Sequence, residues 1–204
     1  MRRAVDERFA VTGADTPGWP PPRSDHEAPR EEEYSRMLDP AKYLIVRARL
    51  AAWRDVLVER GAACDVEITG VAPMIEAAPP ERVARWEPTA PGALPLTLGY
   101  RGVEGVAENI VDLGVGDPPV WIDASPHCGC DACDEGSGQL LTELDDVVEH
   151  VVSGDLVRVD GDGGHAQTTF RGASWNLPDG EALLRAAGRT PLPGYRVSIG
   201  APWL

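Results

Sequence analysis

Positive charge is scarce in this sequence of 204 residues, and lysine is nearly absent. Lysine and arginine together number 19, against 33 aspartates and glutamates, and Lys42 is the single lysine. The formal net charge is −14. Because binding to nucleic acid or to an anionic membrane surface needs a basic face, the composition argues against both as partners. An acidic surface instead favours a basic protein partner.

Long apolar runs are absent too. No segment is apolar over the length needed to span a bilayer, and Arg2 and Arg3 are not followed by the apolar core of a secretory signal. We therefore expect a cytoplasmic protein. In that compartment cysteines serve more often as metal ligands, catalytic groups or spare thiols than as halves of disulfides.

The commonest catalytic motifs are also missing. The sequence contains no GxxxxGKS or GxxxxGKT phosphate loop, no GxGxxG after a predicted strand, no GxSxG and no HExxH. The nucleotide-binding, hydrolase and zinc-protease classes that carry these motifs therefore have no support. Their absence says nothing about other classes of enzyme.

The chain does contain enough apolar material for a core. Hydrophobic residues make up 43% of the sequence, and its length suits one domain, with or without an extension. A short helix is expected over residues 1–11, and the prolines and glycines of residues 12–30 then interrupt regular structure. We predict an extended or mobile N-terminal arm over residues 1–30, with Trp19 against the body, and a single α+β domain over residues 31–204.

Apolar periodicity predicts the elements of that domain. Spacings of three and four predict a short helix from Glu31 to Leu38, a helix from Pro40 to about Arg60, and another over residues 138–152. Alternation predicts strands near residues 64–69, 94–100, 109–115, 120–122, 155–159, 165–171 and 195–199. A short helix is expected near residues 180–187, before the last of these strands. Residues 72–93 hold five prolines and are expected to form a loop anchored by Trp86. Because strands adjacent in sequence usually pair, we predict a mainly antiparallel sheet with helices packed on one face.

Some side chains can be assigned from the same patterns. Cys64 shares a strand face with Val66 and Ile68, so it is expected to lie in the core. Asp145, Asp146 and His150 fall on the polar face of their helix and are expected to be exposed. These assignments depend on which face of each element is covered.

The most unusual stretch is His127-Cys128-Gly129-Cys130-Asp131-Ala132-Cys133-Asp134, which holds three of the four cysteines. A predicted strand precedes it and a predicted helix follows it. Together with Val120-Trp121-Ile122, this stretch resembles the signature of an uncharacterised family of small acidic actinobacterial proteins. The resemblance covers residues 119–135 and implies no established activity.

A metal site is the first interpretation of the cysteines. In a tetrahedral zinc site with Zn–S bonds of about 2.3 Å, neighbouring sulfurs lie about 3.8 Å apart, which Cys-x-Cys-x-x-Cys spacing can reach in a tight loop. Gly129 permits the sharp turn that this requires. We predict that Cys128, Cys130 and Cys133 bind zinc, with His127 beside them as a further metal residue. The fourth ligand has several candidates, which are Cys64, His150, His165, Asp131, Asp134 and water.

Two other interpretations stay open. Cys130-Asp131-Ala132-Cys133 has the spacing and placement of a redox motif. Residues 102–157, however, contain thirteen acidic residues and no lysine or arginine, whereas reactive thiolates need nearby positive charge. A metal ion would supply that charge, although arginines distant in sequence could also fold over the loop. The thiols could alternatively be incidental.

Two classes of function follow from the cysteine cluster. The first is a non-catalytic domain stabilised by zinc, whose acidic surface meets a basic protein, as in immunity proteins that neutralise basic toxins. The alternative is a metal-dependent or thiol-dependent enzyme that uses the same cysteines, with Asp131 or Asp134 as a proton acceptor. An iron–sulfur cluster held by three cysteines and an outside ligand is a further possibility.

Overall fold

The computed structural model describes residues 1–24, 27–69 and 79–204. Its α-helices are α1 (Arg2–Thr12), α2 (Leu44–Glu59), α3 (Gly136–Val152) and α4 (Gly180–Ala186). Its strands are β1 (Ala63–Glu67), β2 (Arg82–Pro88), β3 (Leu96–Val103), β4 (Val106–Val115), β5 (Val120–Ser125), β6 (Val157–Gly161), β7 (Gly164–Thr169), β8 (Gly172–Trp175) and β9 (Arg196–Ile199). Short 3-10 helices span Glu31–Ser35, Pro40–Tyr43 and Asp131–Cys133.

The larger sheet is antiparallel throughout, with its five strands in the order β1-β2-β3-β4-β5. Helix α2 packs on this sheet, and α1 packs on α2. The core between them is formed by large apolar side chains, which include Leu50, Trp53, Leu57, Leu98, Val111 and Leu113. The apolar residues that recur with helical spacing in α2 and those that alternate along β3 and β4 therefore pack in one core. The predicted α+β class is confirmed.

A second antiparallel sheet of four strands, in the order β8-β7-β6-β9, lies beside the edge of the first. Arg158 on β6 donates a hydrogen bond to the carbonyl of Trp121 over 2.9 Å, and Gln167 on β7 donates to the carbonyl of Ile122 over 3.2 Å. These buried side chains satisfy backbone acceptors of β5, which is an edge strand of the larger sheet. The two sheets are thereby joined at β5, directly before the cysteine stretch.

One predicted loop is wrong. Residues 82–88 within it form β2, where Trp86 is only 2% exposed, and residues 72–78 lie outside the described residues. The prolines flank this strand or end it, with Pro79 and Pro80 before it and Pro88 as its last residue. Proline is compatible with strand ends, so the proline count of the segment was misleading.

The predicted burial of Cys64 is also wrong, because its side chain is exposed. Cys64 pairs with Glu87, and Val66 pairs with Arg85, so all four side chains share one face of the sheet. The core lies on the opposite face, where Trp86 sits. Alternation correctly grouped Cys64 with Val66, but it could not tell which face the helices cover.

The polar face of α3 is not a solvent face. Asp145, Asp146 and His150 are all buried, against expectation. Asp145 accepts two hydrogen bonds from Arg49 and one from Trp53 on α2, and the imidazole Nε2 of His150 lies 2.9 Å from the hydroxyl of Thr168 on β7. Helix α3 is therefore covered on two sides, by α2 and by the second sheet.

The N-terminal segment lies against the rest of the chain where it is described. The helix expected over residues 1–11 is present as α1, and its Val5 is fully buried. Residues 13–24 contain no helix or strand, and they run to the cysteine stretch. The division into a 1–30 arm and a 31–204 domain stays a prediction.

Candidate metal centre

The three clustered cysteines lie in the connection between β5 and α3. Their sulfur atoms all fall within 4.8 Å of one another, and the Sγ atoms of Cys128 and Cys130 are 3.1 Å apart. These separations bracket the value of about 3.8 Å that a tetrahedral zinc–thiolate site requires. The predicted clustering of Cys128, Cys130 and Cys133 is therefore present in the folded chain.

The role of Gly129 in this loop is not the one predicted from the sequence, which was to permit a sharp turn. Its φ is not positive, so the turn does not depend on glycine's access to left-handed conformations. Gly129 is instead buried, and a Cβ built there would overlap the side chain of Met37. The hydroxyl of Tyr43 donates a hydrogen bond to the Gly129 carbonyl over 3.3 Å. The absence of a side chain thus allows close packing of the loop against residues that precede α2.

Two arginines distant in sequence hold the far side of the loop. Arg36 pairs with the carboxylate of Asp131 over 2.9 Å, and the backbone N–H of Leu38 donates to the same carboxylate. Arg23 donates to the carbonyls of Asp131 and Ala132. The interpretation that positive charge is missing near the thiols is therefore wrong for the folded protein. Each of these cations is, however, already engaged by the loop.

Asp134 connects the loop to the N-terminal segment. Its carboxylate is buried and contacts the ammonium of Lys42, the only lysine, and it accepts hydrogen bonds of 2.9 Å from the indole N–H of Trp19 and the backbone N–H of Gly136. Burial alone would raise the pKa of Asp134, but Lys42 and Trp19 outweigh that effect and lower it. Asp134 is thus held as a carboxylate at the start of α3.

Hydrogen bonds among the thiols shift the pKa values of Cys130 and Cys133 in opposite directions. Burial opposes ionisation of Cys130, but hydrogen bonds from Cys128 and Cys133 outweigh it and lower its pKa. The hydrogen bond to Cys130, followed by burial, raises the pKa of Cys133 to about 12. Because zinc binds thiolates, metal binding here must release protons, most of all from Cys133.

His127 does not join the cysteine sulfurs. Its side chain is 77% exposed, and its Nδ1 lies 3.6 Å from a carboxylate oxygen of Asp123. Within the described part of the chain, the only group of ligand atoms close enough to hold a metal consists of the three cysteines. Among the proposed fourth ligands, Cys64 is on β1, His150 contacts Thr168 and His165 is on β7. Asp131 and Asp134 lie in the cysteine loop, but their carboxylates pair with Arg36 and Lys42.

A cavity of about 220 Å³ opens beside the cluster. Cys128 and Cys133 line it together with His127, Asp134 and Glu135. Two of the three cysteines therefore border a space that solvent or a small ligand can enter. Three protein ligands and an accessible fourth position are the composition of catalytic zinc sites, whereas structural zinc sites are closed by four protein ligands.

Sequence reasoning missed the residues that hold this loop. Arg23, Arg36 and Lys42 reach it across 92 to 109 positions of sequence, a separation that leaves no periodic signal. The expected contact of Trp19 with the body is realised through Asp134 and Ser137. The one compositional feature that could have pointed to these residues is Lys42, the single lysine in an arginine-rich chain.

We expect Trp19→Phe to lower the free energy of unfolding by about 1.5–3 kcal/mol, because it removes the indole donor to a buried carboxylate. Urea denaturation followed by circular dichroism measures the change. Trp175→Phe is the matched control, because Trp175 is half-exposed on β8 and its replacement should change stability by less than about 0.5 kcal/mol. Equal losses in both variants would contradict the role of Trp19.

The chain belongs to the family of unknown function DUF6226, whose sequence model matches residues 5–203. The expected membership of an uncharacterised family is thus confirmed, and it extends over almost the whole chain instead of the cysteine stretch alone. No curated protein and no solved structure matches the chain. None of the helices in the described residues is long and apolar enough to cross a membrane.

Proposed function

We propose that Cys128, Cys130 and Cys133 bind one zinc ion as thiolates. The observation that carries the proposal is the convergence of three sulfurs within 4.8 Å, in a loop fixed by contacts from outside it. Thiolates are soft ligands that favour zinc, copper(I) and iron–sulfur clusters over magnesium or calcium. Zinc is our choice among these because three neighbouring thiolates with an open fourth position are a ligand set that zinc sites use.

We further propose that the fourth position exchanges its ligand. The support is the cavity lined by Cys128 and Cys133, together with the lack of a fourth protein ligand beside the sulfurs in the described residues. This arrangement favours the enzymatic alternative over a purely structural site. Zinc at such a position lowers the pKa of a bound water. Asp134 is a poor proton acceptor for it, because Lys42 and Trp19 already occupy its carboxylate.

Elemental analysis of the purified, tag-free protein tests zinc binding. We expect one zinc per chain in the wild type and in Cys64→Ser, and none in Cys130→Ser, because Cys64 is an exposed thiol outside the cluster. A thiol titration on the same samples should find one fast thiol in the zinc-loaded wild type and four after chelation. Reduced protein that takes up no zinc would contradict the proposal, and a brown chromophore would indicate an iron–sulfur cluster instead.

The exchangeable position has its own test. Cobalt(II) substituted for zinc reports its coordination by visible absorption, and a small added thiol or cyanide should change the spectrum if the fourth position is open to solvent. An unchanged spectrum would indicate a closed site and favour the structural role. The expected basic protein partner is supported by the net charge of −14 alone, and it stays a prediction.

A further inference from the structure

A second, larger cavity of about 410 Å³ lies where α3, β5 and the β7–β8 turn meet. Its walls are mainly apolar, formed by Leu113, Leu140, Leu144, Val147 and Phe170. This volume lies within the range of about 300–1,000 Å³ that is typical of small-molecule sites. Three separate elements contribute to it, so it exists only in the folded chain.

Three carboxylates also line the cavity, and one of them, Asp123, lies on β5. Asp123 is paired with Leu113 across β4 and β5, and Leu113 is fully buried in the core. Because cross-strand partners share a face, Asp123 projects from the face of the sheet that packs against the helices. The register shifts beside it, where Ile122 is an extra residue in β5. Bulges of this kind re-aim neighbouring side chains and are frequent next to functional sites.

Asp123, whose side chain is 36% exposed, differs from the fully buried carboxylates in its partners. Asp112, Asp134, Asp145 and Asp146 each pair with an arginine or lysine. Asp123 accepts a hydrogen bond of 2.8 Å from the backbone N–H of Ala124, and its nearest basic group within the described ranges is the exposed imidazole of His127 at 3.6 Å. Burial raises the pKa of Asp123, which is the sign of a carboxylate without sufficient compensation.

The other charges at this cavity are already matched. Asp146 pairs with Arg2, and Arg171, which is 61% exposed, lies 3.6 Å from Asp146 and 3.9 Å from Glu143. Gln139 also donates to Glu143. Asp123 is therefore the charge that a ligand in the cavity would meet without competition from a neighbouring arginine. A cation there would give Asp123 the kind of partner that the buried aspartates named above already have.

We propose that this cavity binds a small organic cation, an amine carried on a short apolar group, with Asp123 as its counter-ion. The apolar group packs against Leu140, Leu144 and Phe170, and the ammonium faces the Asp123 carboxylate. This site is independent of the zinc proposal, although the two cavities share His127, Leu140 and Glu143. The site therefore selects a ligand that carries a positive charge on an apolar group. The protein's few basic residues would instead attract anions.

Titration calorimetry with benzylamine, benzyl alcohol and benzoate tests the site. These probes have similar shapes but carry positive, no and negative charge. We expect benzylamine to bind in the millimolar range or tighter, and benzyl alcohol and benzoate to bind on the order of tenfold more weakly or not at all. This comparison uses the unaltered protein, so it decides the charge requirement without any variant.

Asp123→Asn is the decisive variant, because it keeps the shape of the side chain and removes its charge. It should weaken benzylamine binding on the order of tenfold and bring it close to that of benzyl alcohol. Asp162→Asn is the matched control, since Asp162 is exposed in the β6–β7 turn and does not line the cavity. Zinc content measured on the same samples separates this outcome from the fate of the metal site.

Three results would overturn the proposal. They are equal binding of benzylamine and benzyl alcohol, benzylamine binding that Asp123→Asn leaves unchanged, and absence of benzylamine binding up to high millimolar concentration. A misfolded Asp123→Asn protein would leave the first and third of these comparisons in force. Chemical-shift changes confined to residues of α3 and β5 on addition of benzylamine would place the ligand in this cavity.

Discussion

Removing zinc from the loaded protein with a chelator is expected to lower its Tm by roughly 10 °C. A ligand present at 1,000 times its Kd stabilises the folded state by about 4 kcal/mol, and 1 kcal/mol shifts the Tm of a chain of this size by about 2–4 °C. The chain supplies three thiolates from one loop, and that loop is folded tightly against other segments. The free energy of zinc binding by this loop should therefore add to the free energy of unfolding of the whole domain. Differential scanning calorimetry with and without chelator measures the shift.

The cysteine variants separate this effect from a general action of the chelator. Cys64→Ser keeps the three clustered thiols and should lose as much stability on chelation as the wild type. Cys130→Ser should melt at the same temperature with and without chelator. A wild-type Tm that does not depend on zinc would contradict the proposed coupling, even if zinc is bound.

The effect should spread beyond the loop because of what holds the loop in place. Arg23 donates to its backbone carbonyls, Tyr43 donates to Gly129, and Trp19 and Lys42 converge on Asp134. Segments before α2 and at the start of α3 are thus joined through residues 129–134. Movement of the sulfurs after metal loss would disturb these contacts together.

Local sequence pattern was sufficient for α2, α3 and the cysteine cluster, whereas the helix expected from Glu31 to Leu38 is only a 3-10 helix over Glu31–Ser35. The apolar spacing of α2 and α3 predicted both helices within a few residues, because helical periodicity is set by the residues themselves. Cys128, Cys130 and Cys133 are so close in sequence that a tight turn brings them together. His127 is adjacent to the cluster in sequence, yet its side chain lies apart from it beside Asp123.

The particular partners of residues that are distant in sequence could not be predicted. The burial of Asp145 needs Arg49, 96 positions away, and the exposure of Cys64 depends on which face of β1 the helices cover. The strand β2 was hidden because its prolines mark its ends, and β8 lies beyond the strand that was predicted at residues 165–171. The larger cavity forms only when α3 packs against both sheets, so no local sequence pattern could identify Asp123 as a carboxylate that lines it.

Asp145→Ala is expected to lower the free energy of unfolding by about 3–5 kcal/mol, because it removes the buried carboxylate from the buried guanidinium of Arg49 and leaves only the exposed carboxylate of Asp6 beside it. Arg49 and Asp145 are 5% and 4% exposed, and Arg49 donates to both oxygens of Asp145 over 2.9 and 2.6 Å. The indole N–H of Trp53 donates to the same carboxylate over 2.7 Å and would lose its acceptor as well. Urea denaturation measures the loss. Glu181→Ala provides the surface control, since its pair with Arg185 is exposed and should contribute less than about 1 kcal/mol.

The double variant Arg49→Met, Asp145→Leu distinguishes the cost of an orphaned charge from the intrinsic strength of the pair. Replacing both buried ions by apolar side chains removes the desolvation penalty along with the attraction, so the double variant should be more stable than either single replacement by alanine. Trp53 would still lack its acceptor, so recovery should stop short of the wild type by about 1–3 kcal/mol. Losses that simply add would mean that the two residues act separately. Coupling would instead show that the ion pair fixes how α3 packs on α2, and with it the start of the helix that follows the cysteine loop.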